Sequence, residues 1–135
     1  MTMLDINLEV KQAIAPQVAG SDGAVNGTSI SLSDNLSAVV VFSVGTLTDG
    51  SFTPSVEESD DGGSTWTAVA AADLRGTLVA VTTSNDPKIQ QVVYQGELGM
   101  IRPVITAATT TDGGPIAAYV ILGDEKQAGG SVFIT

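Results

Sequence analysis

One stretch of the chain points most directly to β structure: residues 36–59, which read LSAVVVFSVGTLTDGSFTPSVEES. Residues 36–47 form a strand-length segment that is almost continuously apolar at its centre, residues 38–42. Such a run suits a strand covered on both faces, either inside the fold or at an oligomer contact. The Asp49-Gly50 pair predicts a hairpin turn, with the next strand over residues 52–58.

The remainder of the chain has the same character, because its apolar residues mostly recur at every second position, as they do in a half-buried strand. Further strands are predicted at residues 4–10, 28–32, 66–71, 77–82, 89–94, 100–107, 116–122 and 131–135, with a loop at residues 15–26 and a helical turn within residues 68–74. About eight to ten short strands separated by Gly, Asp and Asn turns predict an all-β antiparallel fold, a β-sandwich or a barrel. We expect one domain, residues 1–135, in which residues 1–15 are a candidate N-terminal arm.

The composition argues against most enzymatic mechanisms and against metal, nucleic-acid and membrane binding. The chain has 5 Lys and Arg against 15 Asp and Glu, a formal net charge of -10, and neither His nor Cys. Without His, a Ser-His-Asp triad is impossible and the commonest zinc ligand is missing. So few cations argue against nucleic acid and anionic membranes as partners. We therefore expect no enzyme activity, no catalytic residue, no metal site and no cofactor.

The most specific local pattern is SDDGGSTW, residues 59–66, which matches the Asp-box pattern Ser-x-Asp-x-Gly-x-Thr-Trp of sialidases and many unrelated β proteins. It predicts a structural hairpin. Its Asp accepts backbone N–H groups of its own turn, its second Gly supplies a positive φ, and its Trp buries its ring at the start of the return strand. The predicted hairpin residues are Ser59, Asp61, Gly63, Thr65 and Trp66.

Two more specific interpretations of this region, a sialidase and a calcium site, are less favoured. Sialidases carry several Asp boxes on a much longer chain and need three arginines for the substrate carboxylate, whereas only Arg75 and Arg102 exist here. The acidic residues 57–61 could form a calcium site, but no Glu closes the loop at EF-hand spacing, so a solvated charged turn is the preferred interpretation.

Arg102 and Pro103 are the remaining candidates for a special role. Arg102 alternates with Ile101, so its plain interpretation is a solvent-facing position in a strand. The more specific interpretation is that Arg102 lies at an interface and pairs with an acid on a neighbouring chain. Pro103 has no N–H to donate, which predicts an edge strand or a bulge at this point.

Two further segments carry a resemblance to a known class of protein: YQGELGMIRPVIT, residues 94–106, and GGPIAAYVILG, residues 113–123. Together with the hairpin they resemble small virion proteins of tailed phages, over residues 36–124. The resemblance implies a non-enzymatic structural protein of the virion, a capsid cement or decoration protein with a jelly-roll-like β-sandwich. It further implies a homotrimer that is made in the host cytoplasm and binds the major capsid protein. The chain departs from the pattern at Met100-Ile101, where an aromatic residue often precedes the arginine, and in its unmatched N-terminal arm.

Two other functions stay open from the sequence. One is a carbohydrate-binding or adhesion module on a β-sandwich, which would stack exposed aromatic rings on sugars. The other is a neck or tail component, which shares the phage context but differs in position and symmetry. A capsid cement protein must be soluble before it assembles, and a net charge of -10 favours that solubility.

Overall fold

The computed structural model describes residues 8–32 and 37–123. Within these residues, ten strands alternate with short connections, and one turn of 3₁₀ helix spans Ala71–Asp73. The strands are β1 (Leu8–Ala19), β2 (Gly23–Asn26), β3 (Ile30–Ser31), β4 (Ser37–Val44), β5 (Ser51–Ser59), β6 (Thr67–Ala68), β7 (Leu74–Arg75), β8 (Lys88–Tyr94), β9 (Met100–Ala108) and β10 (Gly114–Gly123).

The strands form two antiparallel sheets that pack face to face. Sheet A has the order β1-β10-β4-β8-β7, and sheet B has the order β2-β9-β5-β6 with β3 also paired to β9. The prediction of an all-β antiparallel sandwich is therefore confirmed. No helix among the described residues is long and apolar enough to cross a membrane.

The core lies between the sheets, and strict alternation along the strands builds it. In β4, Ala38, Val40, Phe42 and Val44 are buried while the intervening residues are partly exposed. Sheet B meets them with buried side chains such as Phe52, which is fully inaccessible. Burying each large apolar side chain stabilises the fold by about 1.5–3 kcal/mol. The continuous apolar run of β4 thus fills the core with one face only, and its other face remains outside.

The turn at Asp49-Gly50 was predicted as a hairpin, and that prediction is wrong. β4 belongs to sheet A and β5 to sheet B, so this turn carries the chain from one sheet to the other. The connection from β9 to β10, residues 109–113, crosses in the same way. The reason is that β10 and β8 occupy both sides of β4, and a two-residue turn motif does not specify which strand fills those positions.

Two local predictions are also wrong. Residues 15–26 are not a loop, since β1 runs on to Ala19 and β2 begins at Gly23. Register shifts between Gln12 and Gln17 accommodate Pro16, which an edge strand tolerates. Residues 77–82 are not a strand, because only Val81 pairs, by a bridge to Phe52 of β5.

The remaining local predictions concern a helical turn and the two ends of the chain. The helical turn predicted within residues 68–74 is confirmed as the 3₁₀ turn Ala71–Asp73. Residues 8–15 of the candidate arm lie in β1, paired with β10, and the Ala13 carbonyl accepts the Thr28 N–H at 2.9 Å. Residues 1–7 of that arm and the strand predicted at residues 131–135 lie outside the described residues.

Candidate functional site

The outer face of sheet A is a continuous apolar surface, and the strand register produces it. Side chains of directly paired residues project from the same face of a sheet. The pairing aligns Val10, Ile121, Val39 and Val93 across β1, β10, β4 and β8 in one outward-facing row. We call the outward-facing side chains of this row and its neighbours the valine face: Leu8, Val10, Gln12, Ser37, Val39, Val41, Ser43, Ile89, Gln91, Val93, Ala117, Tyr119 and Ile121.

The valine face is accessible at its margins and partly covered by its own side chains at its centre. Leu8 and Val10 are each 63% exposed, and Ile89 is 71% exposed. Val39 and Val41, on the central strand β4, are half-buried. Single exposed apolar residues are ordinary on a protein surface, whereas the largest contiguous apolar patch of a monomer is often functional.

The valine face contains no acidic side chain, whereas the chain as a whole carries a net charge of -10. Arg75 of β7 pairs with Val93 and therefore places a cation on the same side of sheet A, at the rim of the face. Glu9 and Lys11 occupy the alternate positions of β1 and pair with each other at 3.2 Å. The acidic hairpin of residues 57–61 belongs to sheet B, on the other side of the sandwich. Among residues 8–32 and 37–123, the valine face and the acidic hairpin therefore lie on opposite sides of the sandwich.

The residues predicted for the hairpin lie together at the end of β5, where Asp61 and Ser59 organise the turn. Asp61 Oδ1 accepts the backbone N–H groups of Ser64 at 3.0 Å and Thr65 at 2.9 Å. The Ser59 hydroxyl donates to the same oxygen at 2.7 Å and accepts the Gly63 N–H at 3.0 Å. The Thr65 N–H first, and then the Ser59 hydroxyl, lower the pKa of Asp61 to about 2. Gly63 has a φ of 95°, a conformation that a side chain would strain.

Trp66 and Arg102 form a second contact on the outer side of sheet B. Trp66 is half-buried rather than enclosed, and the Arg102 guanidinium lies 4.5 Å from the centre of its ring. Arg102 Nε and Nη2 donate to Glu57 Oε1 at 2.8 and 2.7 Å. Within this chain Arg102 thus pairs with Glu57, which lies directly opposite it on β5.

Pro103 does not lie at a sheet edge, so the first of the two alternatives predicted from its missing N–H is wrong, whereas the pairing beside it is irregular, as the second alternative, a bulge, would require. It lies in β9, which has β5 on one side and β2 and β3 on the other. The Pro103 carbonyl accepts the Gly27 N–H at 2.7 Å, so the backbone polar groups of Pro103 point to the gap between β2 and β3. A missing donor costs nothing there, because the ladder is already interrupted.

Several buried or clustered polar contacts were missed from the sequence. Asp49 Oδ1 accepts the N–H groups of Thr111, Asp112 and Gly113 at 2.9–3.1 Å, and the Gly113 bond above all lowers the pKa of Asp49. Its partners lie 62 to 64 residues away, so no local spacing could reveal them. The carboxylate ties the turn after β4 to the connection before β10.

Two further polar side chains join separate parts of the fold. Gln90, only 9% exposed, accepts the Val79 N–H at 2.8 Å and donates to the Val79 carbonyl at 2.9 Å. This pair of bonds holds residues 77–82 against sheet A without a strand. The Tyr94 hydroxyl donates to Glu58 Oε1 at 2.6 Å, which joins β8 of sheet A to β5 of sheet B.

No three acidic side chains of residues 8–32 and 37–123 converge as a group that could hold a metal ion. Two carboxylates have a lowered pKa because they accept backbone N–H groups. Asp61 accepts those of its own turn, and Asp49 accepts those of the connection before β10. Comparison with known protein families, curated proteins and solved structures found no match. The valine face is therefore the feature from which function is best argued.

Proposed function

We propose that this chain is a non-enzymatic structural protein of a phage virion, a capsid decoration protein that binds the major capsid protein through the valine face. The observation that carries the proposal is that face: a contiguous, mostly apolar surface whose residues include no acid, on a chain with a net charge of -10. A surface of this kind gains free energy only when another surface covers it. The choice of the capsid as partner comes from the resemblance of residues 36–124.

The size of the valine face sets the strength of the contact. Four strands about 4.8 Å apart and six residue steps of about 3.4 Å make a face of roughly 20 by 20 Å, or about 400 Å². Part of this area is polar or already half-buried, so only a fraction of it is apolar surface that a partner would newly cover. Association itself costs about 4–15 kcal/mol, so a single contact of this size is expected to be weak.

The polar side chains of the fold support the same proposal. The side chains with shifted pKa values, Asp49, Asp61 and Tyr94, are hydrogen-bonded within turns or between the two sheets. Asp49 and Asp61 accept backbone N–H groups, and the Tyr94 hydroxyl donates to Glu58 across the two sheets, so each of the three is engaged in holding the fold together. They stabilise the sandwich, which is the requirement of a protein that acts by contact.

The test is co-sedimentation with empty capsids of the phage that carries the protein. The variant Val10→Lys/Ile89→Lys places two cations on the valine face at positions that are 63% and 71% exposed, so the fold should tolerate them. The control Thr53→Lys/Val79→Lys adds the same charge at exposed positions outside that face.

Wild type and control are expected to sediment with capsids, and the face variant is expected to remain in the supernatant. If wild type does not bind capsids, the decoration function is wrong. Binding to a glycan array would then favour the adhesion module, and a six-fold ring would favour the tail component. If the face variant binds capsids as well as wild type does, the valine face is not the contact.

A further inference from the structure

We propose that three crossovers between the two sheets act as one clasp, which closes one end of the core and opens as a unit when its aspartate carboxylates are protonated or removed. The crossovers are residues 20–22 from β1 to β2, residues 45–50 from β4 to β5, and residues 109–113 from β9 to β10. They meet at one end of the sandwich, where β1, β4 and β9 end and β2, β5 and β10 begin. We call them together the crossover clasp. The inference does not depend on the proposed function.

Two carboxylates hold the third crossover, one from each of the other two. Asp22 Oδ1, in the first crossover, accepts the Thr110 N–H at 2.8 Å. Asp49 Oδ1, in the second crossover, accepts the N–H groups of residues 111–113 at 2.9–3.1 Å. Four consecutive backbone N–H groups therefore donate to carboxylates from distant parts of the chain. Hydrogen bonds to an ionised carboxylate are roughly twice as strong as those between neutral groups, so these bonds hold the clasp closed.

Thr110 links the two carboxylate sites. Its N–H binds Asp22, and its side chain packs on Gly50, the residue after Asp49. The approach is close, since a Cβ added to Gly50 would lie 2.5 Å from Thr110 Oγ1. The Gly113 carbonyl also accepts the Thr48 N–H at 2.8 Å, so the second and third crossovers bond to each other in both directions. Loss of either carboxylate therefore displaces the segment that the other one binds.

The clasp covers apolar side chains at this end of the core. Leu47, in the second crossover, is 6% exposed, and Phe52, just after that crossover, is fully inaccessible. An open clasp would admit water to both side chains. The ladders of β4 with β8 and β10 do not include the crossovers and would keep sheet A intact. Opening is therefore expected to be local rather than global.

Acid is expected to open the clasp, because a protonated carboxyl group loses the charge that makes these bonds strong. The Gly113 N–H first, and then the Thr111 N–H, lower the pKa of Asp49. Its bonds should therefore be complete above pH 3.8 and lost as pH falls through the lowered value. The further titratable side chains that we place at this end are Asp22, Asp86, Asp112 and Lys88. In acid the three aspartates also become neutral, and the lysine stays charged.

The test is amide hydrogen exchange measured by NMR in two variants, Asp22→Ala and Asp49→Ala. In Asp49→Ala, the Thr110 amide, which Asp22 binds, is expected to exchange at least about 10-fold faster than in wild type. In Asp22→Ala, the Gly113 amide, which Asp49 binds, is expected to exchange faster by a similar factor. The control Asp61→Ala removes a carboxylate that also accepts two backbone N–H groups, but at the far end of β5. It is expected to leave both amides unchanged.

An acid titration of the wild type, followed by backbone amide chemical shifts, guards against a variant that unfolds. The amides of Thr110 and Gly113 are expected to shift together, with one midpoint below pH 3.8. The amides of Val40 and Val92, which are paired in sheet A, are expected to keep their chemical shifts through that midpoint.

Four results would overturn the proposal. An amide bound by one aspartate that does not respond to loss of the other, or separate midpoints for Thr110 and Gly113, would show that the two carboxylates act independently. Sheet A amides that shift at the same midpoint would show global unfolding instead of an opening clasp. Equal acceleration of both amides in Asp61→Ala would show a general loss of stability.

Discussion

Replacing Gly113 with alanine should damage the junction between the two sheets. Gly113 has a φ of 64°, and a Cβ added there would lie 1.7 Å from the Ala19 carbonyl oxygen. Its own N–H donates to Asp49 Oδ1 at 2.9 Å, and its carbonyl accepts the Thr48 N–H at 2.8 Å. The end of β1 and the start of β10 would have to separate to make room.

The expected loss can be worked out against a matched glycine. Gly62, in the acidic hairpin, has a φ of 76° and no atom within 4 Å of an added Cβ. Both alanine variants carry the left-handed backbone penalty of about 1–2 kcal/mol. Only Gly113→Ala also displaces backbone and breaks the two hydrogen bonds, at about 1 kcal/mol each. We expect losses of about 3–4 kcal/mol for Gly113→Ala and about 1–2 kcal/mol for Gly62→Ala.

Urea denaturation followed by circular dichroism measures both free energies of unfolding, and thermal melts provide a check. For a domain of this size about 1 kcal/mol corresponds to roughly 3–5 °C in Tm, so Gly113→Ala should melt about 10–15 °C below wild type. If the two variants lose stability equally, to within about 0.5 kcal/mol, the close approach of β1 to Gly113 is wrong.

Two predictions concern pH and the contact between the sheets. The pKa of Asp61 is about 2, below its ordinary 3.8, so the hydrogen bonds of its hairpin should be complete above pH 3.8 and lost as pH falls through 2. The amide resonance of Thr65 should report this titration, and the Asp61→Asn variant should abolish the pH-dependent shift. Tyr94→Phe removes the hydroxyl bonded to Glu58 and should cost about 1–2 kcal/mol in urea denaturation. Burial and then the hydrogen bond to Glu58 raise the pKa of the Tyr94 hydroxyl, so the free energy of unfolding of the wild type should fall as pH rises above about 10. The free energy of unfolding of the Tyr94→Phe variant should fall less over the same pH range. If both fall equally with pH, the assignment is contradicted.

The apolar pattern alone predicted most of the long strands. β5, β8 and β9 lie where apolar residues mostly recur at every second position, and β4 and β10 lie at nearly continuous apolar runs. The prediction failed at residues 77–82, where the apolar run of residues 78–81 indicates a strand. There the partners are the Gln90 side chain and one bridge to Phe52, which period alone cannot distinguish from a ladder.

The valine face was only partly accessible to sequence reasoning. The apolar centre of residues 38–42 predicted a strand covered on both faces, by the fold or by an oligomer contact. That Val39 faces outward beside Ile121 and Val10 depends on register between strands separated by up to 111 residues in the chain. Pairing at such separation is set by which arrangement buries the inner faces of all strands together.

The sequence by itself determined the features whose physical cause is local. Strand period, the glycine conformations of turns and the carboxylate bonds of the hairpin at Asp61 all depend on residues a few positions apart. Only the tertiary structure decided which sheet each strand joins, that Asp49 bonds the connection before β10, and that Arg102 pairs with Glu57. The physical reason is that these contacts join segments distant in sequence, so they exist only once the shared core has brought the segments together.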